Sequence, residues 1–247
     1  MFGIILVILV ILLLAYIIYY SPSPRDNFAV IKRDGLIYTR EHIVEKIYKM
    51  VYTVVQLMDI YHINYWAEGG TLLGAVRHKG LIPWDEDADL QILDTDESKI
   101  LLMEQSLEKY GYRLMKTWFG WKIFPEDGEP IKNYNWKYPG LDIFVVKIIQ
   151  EDREKVIQYK YPKAQKLFGK CWSYYKDIFP LKKYQFGSFE INGPNNPYTY
   201  LDSCYGKNWF DEAYMQYNHE KETRYKNSKK IYLTDYERVP AQPFFPN

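Results

Sequence analysis

Between residues 40 and 61, apolar side chains return every three or four positions, at Ile43, Ile47, Met50, Val51, Val54, Leu57, Met58 and Tyr61. That spacing predicts a helix with one face laid on a core. Residues 63–67 read as a short strand that runs into a Gly69-Gly70 turn, and Thr71 is placed to cap a helix over 72–77. Alternation over 88–93 sets Asp87 and Asp89 on one side of a strand and Ala88, Leu90 and Ile92 on the other. A helix is expected over 97–110, with Gly111 just past its end. Residues 112–115 and 118–124 look like paired strands, and the polar stretch 125–138, with its Gly and Pro, reads as an exposed loop. Residues 141–149, LDIFVVKII, are almost unbroken apolar and predict a buried strand that carries one carboxylate, Asp142.

Past Glu151 the pattern weakens. Residues 151–168 read as helical up to Pro162, 184–191 as strand-like, and 197–205 as a helix closed by Gly206. The charge-rich stretch 220–230 reads as a solvated helix face, and the Pro-rich tail 240–247 as irregular. Together these elements predict an α/β protein, an α+β mixed sheet with a helix-and-loop C-terminal extension.

The apolar run from Phe2 to Tyr20 matches the roughly 20 residues that a helix needs to cross a membrane. No small-x-small cleavage site precedes SPSPRD, so the expectation is an uncleaved signal-anchor, with a cleaved signal peptide as the lesser reading. The expected organisation is a transmembrane anchor over 1–20, a stem over 21–36 and one domain over 37–247, with a core over about 37–150 and an extension over about 151–247. No Lys or Arg precedes the run, whereas Arg25, Lys32 and Arg33 follow it, which by the positive-inside rule leaves the domain in the cytoplasm.

A net charge of +1 lacks the basic surplus of a broad nucleic-acid binder. The 25 Tyr, 7 Trp and 12 Phe suit either a core or a sugar-binding platform, and composition does not separate the two. Cys171 and Cys204 make no metal-ligand pattern; they could pair in an oxidising compartment, but buried thiols are the simpler reading.

The chemistry is concentrated in residues 65–92, YWAEGGTLLGAVRHKGLIPWDEDADLQI. Gly69 and Gly70 let backbone N–H groups approach a phosphate. Asp85, Asp87 and Asp89, spaced by two, point to one face of an extended chain, where they can share a divalent cation. Asp142, inside an apolar strand, is costly unless paired or bound to metal. A start like that of an EF-hand loop is also visible, but the sixth and twelfth positions hold Leu90 and Asp96 rather than Gly and Glu, which argues against a calcium module.

The run GGTLLGAVRHKGLIPWDEDADL, followed by GLDIF and then YLDSCYGKNW, resembles the LicD-type phosphotransferases, the family that includes fukutin and the fukutin-related protein. The resemblance implies a nucleotidyltransferase-like core that moves phosphocholine or a phospho-alditol such as ribitol phosphate from a CDP-linked donor to a glycan hydroxyl. It implies Mg²⁺ or Mn²⁺ held by Asp87, Asp89 and Asp142, with Asp85 as a further ligand or as base. Gly69, Gly70 and Thr71 would hold donor phosphate, with Arg77, His78 and Lys79 offsetting its charge. It also argues, against the flanking charges, for a type II single-pass membrane protein with a lumenal or extracytoplasmic domain. An inactive relative serving as a membrane-tethered scaffold is the rival reading, although every carboxylate is present.

For single residues the bland reading stands beside the functional one. His78 could equally satisfy carbonyls at a helix end, His62 reads as a helix-terminal surface residue, and Trp84 as a packing wedge. His219, in the YNHE stretch, could line an acceptor site, but an ordinary surface histidine is the simpler reading.

Overall fold

The computed structural model describes residues 32–33, 35–226 and 228–241. The expected helix forms as α1 (Glu41–Ile60). Its stripe of Ile43, Ile47, Val51, Val54 and Met58 is buried in one hydrophobic cluster with Leu90, Ile92, Ile143 and Val145 of the sheet. Each such side chain contributes about 1.5–3 kcal/mol on burial.

The sheet has seven strands: β1 (Tyr65–Ala67), β2 (Ala88–Leu93), β3 (Tyr112–Lys116), β4 (Gly120–Pro125), β5 (Leu141–Glu151), β6 (Glu154–Tyr159) and β7 (Ser173–Tyr174). Strand β5 is its spine. Along one edge β5 runs parallel to β2. Its other edge takes β4 over residues 141–144 and β6 over 146–151, both antiparallel. The outer strands β1, β3 and β7 pair antiparallel with β2, β4 and β6. The sheet is therefore mixed, as expected from the order of elements along the chain. Two helices position the site: α2 (Gly69–Arg77) leaves β1, and α3 (Tyr198–Tyr205) lies in the C-terminal part. Gly111 and Gly206 adopt positive φ just past their helices, as expected of chain reversals that favour glycine.

Several local readings need correction. The stretch 151–168 is not helical up to Pro162. Asp152 turns the chain at positive φ, and Val156, Ile157 and Tyr159 pair with Ile149, Ile148 and Val146, so the segment is β6 followed by a helix, Pro162–Phe168. The pull of an open edge on β5 outweighs local helix preference. The stretch 97–110 is broken into Glu97–Ile100, a 3₁₀ turn at Leu101–Met103, and Glu104–Lys109. Within 125–138, Glu129–Pro130 pairs with Lys137–Tyr138, and Ile131 and Tyr138 are buried. The charged stretch 220–230 holds a strand, Thr223–Arg224, paired with Tyr217–Asn218, and no described residue in it is helical. Cys171 and Cys204 are not free thiols but a disulfide, their Cα atoms 4.6 Å apart. The packing brings them together: the Trp172 N–H donates to Ser203 Oγ at 3.2 Å, docking α3 against the approach to β7.

The expected single-pass membrane localisation is also corrected. Among the described residues, no helix is long and apolar enough to cross a membrane. The run from Phe2 to Tyr20, on which that expectation rested, lies outside the described residues, as does most of the stem.

Glu97 fastens the sheet's edge elements together. Its carboxylate accepts hydrogen bonds from Lys116 of β3, from Lys160 at 2.6 Å and from the Tyr161 hydroxyl at 2.5 Å. Burial alone would raise its pKa, but these partners hold it at about 2, below the ordinary 4.5. The carboxyl is thus a stronger acid folded than unfolded, so its stabilisation is full above pH 4.5 and is lost as the pH falls toward 2. Glu97→Gln is expected to cost about 2 kcal/mol at pH 7, as for hydrogen bonds to a charged group. Thermal melts should show a Tm lower by roughly 4–8 °C. The wild-type protein should lose that advantage between pH 4.5 and pH 2, where the two melting curves converge.

Candidate metal centre and its cavity

Register builds the centre of the site. In the parallel pairing of β2 and β5, Asp89 lies opposite Asp142, and in the antiparallel pairing of β4 and β5, Lys122 lies opposite Asp142. Leu90, Ile92, Ile143, Val145, Trp121 and Ile123 turn to the α1 core. Alternation then places Asp89, Asp142 and Lys122 side by side on the opposite face. Asp87 joins them from the turn before β2: one oxygen from each of Asp87, Asp89 and Asp142 lies within 4.8 Å of the others. These are hard oxygen donors crowded close enough to share one divalent cation, so the donor set fits a metal ion.

The electrostatics match that crowding. Burial pushes Asp87 up to about 7 and raises Asp89 and Asp142, with neighbouring carboxylates adding to the effect. Asp85 is raised by burial and by Asp87. The compensating charge is Lys122, whose Nζ lies 2.5 Å from Asp142 Oδ1. His219 Nδ1 lies 3.1 Å from Asp87 Oδ2, and burial pushes its imidazole down to about 4.

The glycine turn stands against the acids. A Cβ on Gly69 would fall 2.5 Å from Asp89 Oδ2, and one on Gly70 would collide with Asp85 Oδ2. Here glycine is required so that carboxylates can reach the N-terminal end of α2, where the helix dipole favours negative charge. Thr71 does not cap the helix. The helix begins at Gly69 with Glu68 in the cap position, and the Thr71 hydroxyl accepts the Asp89 N–H at 2.8 Å, tying α2 to β2.

The acids and glycines line a cavity of about 800 Å³, together with Arg77, Trp118, Phe168 and Tyr214. Arg77 is also a structural clip. It is buried, and its guanidinium donates to the Trp209 and Glu212 carbonyls, at 2.5 and 3.0 Å, so it holds the C-terminal segment over the cavity. His78 and Lys79 do not line the cavity. The His78 Nε2 meets the Glu237 carbonyl at 3.0 Å, its ring lies edge-on to Trp84, and burial pushes it down to about 3. Lys79 sits at positive φ, with Nζ donating to the Val76 carbonyl. His62 is exposed and ends α1 at positive φ.

Two charged groups at the site, Lys122 and Glu68, are not singled out by sequence reasoning. Lys122 sits in an apolar strand with no motif around it. Glu68, directly before the glycines, accepts hydrogen bonds from the Tyr159 and Tyr200 hydroxyls, and burial pushes it up to about 8. Tyr200 also accepts the Gly69 N–H at 3.1 Å. His219 is not an ordinary surface histidine. Lys122 and Glu68 did carry a signal, a charged residue in or beside an apolar strand, whereas His219 reaches Asp87 from 132 residues further along the chain.

Residues 62–196 match the LicD/FKTN/FKRP nucleotidyltransferase domain. An uncharacterized protein of Rickettsia typhi is 29% identical over 246 residues, covering 96% of this chain and 73% of its own. The ribitol 5-phosphate transferase FKRP of Homo sapiens is 54% identical over 39 residues, 16% of this chain and 8% of that protein. The lipopolysaccharide cholinephosphotransferase LicD of Haemophilus influenzae is 59% identical over 34 residues, 14% of this chain and 13% of that protein.

Removing one of the crowded charges separates metal binding from folding. Asp89→Asn is expected to leave the metal-free Tm unchanged or raised, because it relieves repulsion between buried carboxylates. In thermal melts Mn²⁺ should stabilise the wild-type protein by about 2.7 kcal/mol when present at about a hundred times its Kd. The variant should show little of that gain.

Proposed function

Because the chain belongs to the LicD/FKTN/FKRP nucleotidyltransferase-domain family, we propose that it is a divalent-metal-dependent phosphotransferase. It moves a phosphorylated group, phosphocholine or a phospho-alditol such as ribitol phosphate, from a CDP-linked donor to a glycan hydroxyl and releases CMP. The observation that carries this reading is the convergence of Asp87, Asp89 and Asp142 at a cavity of about 800 Å³, large enough for a nucleotide-linked donor. The short matches to proteins named as ribitol 5-phosphate and choline-phosphate transferases support it.

Asp87, Asp89 and Asp142 would hold Mg²⁺ or Mn²⁺. A divalent ion there supplies charge neutralisation for the phosphate oxygens and the departing CMP. Gly70 and Arg77, which line the cavity, would offer the donor phosphate a backbone N–H group and a cation, with Gly69 leaving room for its approach. Lys122, already beside Asp142, adds a buried positive charge in reach of the same phosphate. Asp85 is the candidate base. Held up by burial and by Asp87, its carboxylate has more affinity for a proton than a free one. In the balanced step the acceptor oxygen bonds to phosphorus, its proton passes to Asp85, and the bond from phosphorus to the CMP oxygen breaks.

The test is a panel of CDP-linked donors with a glycan acceptor, following CMP release with and without Mg²⁺ or Mn²⁺. Metal-dependent release from one donor is expected, falling at least about 100-fold in Asp142→Asn while the Tm is retained. Near-normal turnover in that variant would sink the three-carboxylate site. No release with any donor, from a folded protein, would favour the scaffold reading.

A further inference from the structure

We propose that His219 is a positioning residue of the carboxylate cluster, its Nδ1–H fixing the orientation of Asp87 as a metal ligand, and that Glu86 in turn fixes His219. The proposal rests on the metal-centre reading above and deepens it.

The geometry begins in the loop that carries the acids. Asp85 and Asp87 face the cavity, while Glu86 between them does not line it. Glu86 is nonetheless buried, and a buried carboxyl needs partners. Those it has come from the hairpin tip: the His219 N–H donates to Glu86 Oε2 at 2.9 Å, and Asn218 Nδ2 approaches Oε1 at 3.5 Å. The imidazole is held from a second side by the Tyr217 ring, 4.9 Å away between centroids. Tyr217 is fixed through Glu222, which accepts its hydroxyl at 3.0 Å and Trp136 Nε1 at 2.9 Å. The His219 backbone and ring are thus both constrained, and the constrained ring points Nδ1 at Asp87 Oδ2, 3.1 Å away.

A carboxylate ligand on a turn is free to rotate unless its outer oxygen is held. Partners that orient metal ligands in this way are worth about 10–100-fold in metal affinity when removed. On this account the alternation in Asp85-Glu86-Asp87 has a purpose: the outer residues serve the cavity, and the middle one anchors the hairpin that steadies Asp87.

The experiment is calorimetric titration of the metal-stripped full chain with Mn²⁺ alone, so the readout does not depend on any substrate. The two ring nitrogens can be separated, because an Asn amide nitrogen stands near the place of Nδ1 and a Gln amide nitrogen near that of Nε2. His219→Ala and His219→Gln are expected to weaken Mn²⁺ binding about 10–100-fold, whereas His219→Asn stays within about threefold of wild type. In a double-mutant cycle, Glu86→Ala and His219→Ala should be strongly non-additive, because both act through one hydrogen bond to Asp87. Wild-type affinity in His219→Ala would overturn the proposal, as would His219→Asn binding as weakly as His219→Ala. A wild-type protein that binds no Mn²⁺ would remove the metal reading and this proposal together. Wild-type binding with all variants unchanged would remove this proposal alone.

Discussion

The parallel pairing of β2 with β5, which sets Asp89 opposite Asp142, is the constraint on which the site depends. A slip of one residue would turn Asp89 into the α1 core and Leu90 into the cavity, because side chains alternate with period two. What forbids the slip is apolar: Ala88, Leu90 and Ile92 on β2, and Leu141, Ile143 and Val145 on β5, all buried in the cluster under α1. The oil-filled face of the sheet therefore aligns the charged face. Thr71 adds a second lock, since its hydroxyl holds the Asp89 N–H and fixes where the helix end meets the strand.

That alignment has a thermodynamic cost. Asp85, Asp87, Asp89 and Asp142 are crowded where water is scarce, and their raised pKa values express the work of charging them there. Lys122 offsets part of it from within the same row of residues, and Glu68 avoids adding to it by titrating near 8. Crowded like charges are a poor choice for stability alone and a good one for holding a cation, the exchange that functional sites commonly make.

Much of this was legible in the chain because it is local. The α1 stripe, the β2 alternation, the apolar run of β5 and Gly206 after α3 each carry their signal within a few residues, and so does the spacing of Asp85, Asp87 and Asp89. What was not legible depends on partners distant in sequence. Strand β6 looks helical until β5 offers it an edge. Cys171 and Cys204 are indistinguishable from lone thiols until α3 docks. Arg77 has the look of a phosphate ligand, and its two carbonyl partners, on Trp209 and Glu212, lie more than 130 residues away. His219 is the sharpest case, since nothing in YNHE points to Asp87, and only the hairpin geometry and Glu86 bring them together.

The division of labour along the chain follows from the same geometry. The carboxylates and glycines all lie within the residues 62–196 that match the family, whereas Trp209, Tyr214, Tyr217, His219 and Arg224 line the cavity from beyond them. Under the proposed reaction, Asp87, Asp89 and Asp142 serve the phosphate, which every donor of the class presents in the same form. They cannot distinguish choline from an alditol, because those groups differ at the far end of the donor. Discrimination must then come from cavity walls that the carboxylates do not build, in part the segment that Arg77 and Glu86 hold in place. The buried arginine and the turned-away glutamate thus join the carboxylate cluster to the wall that the C-terminal segment builds.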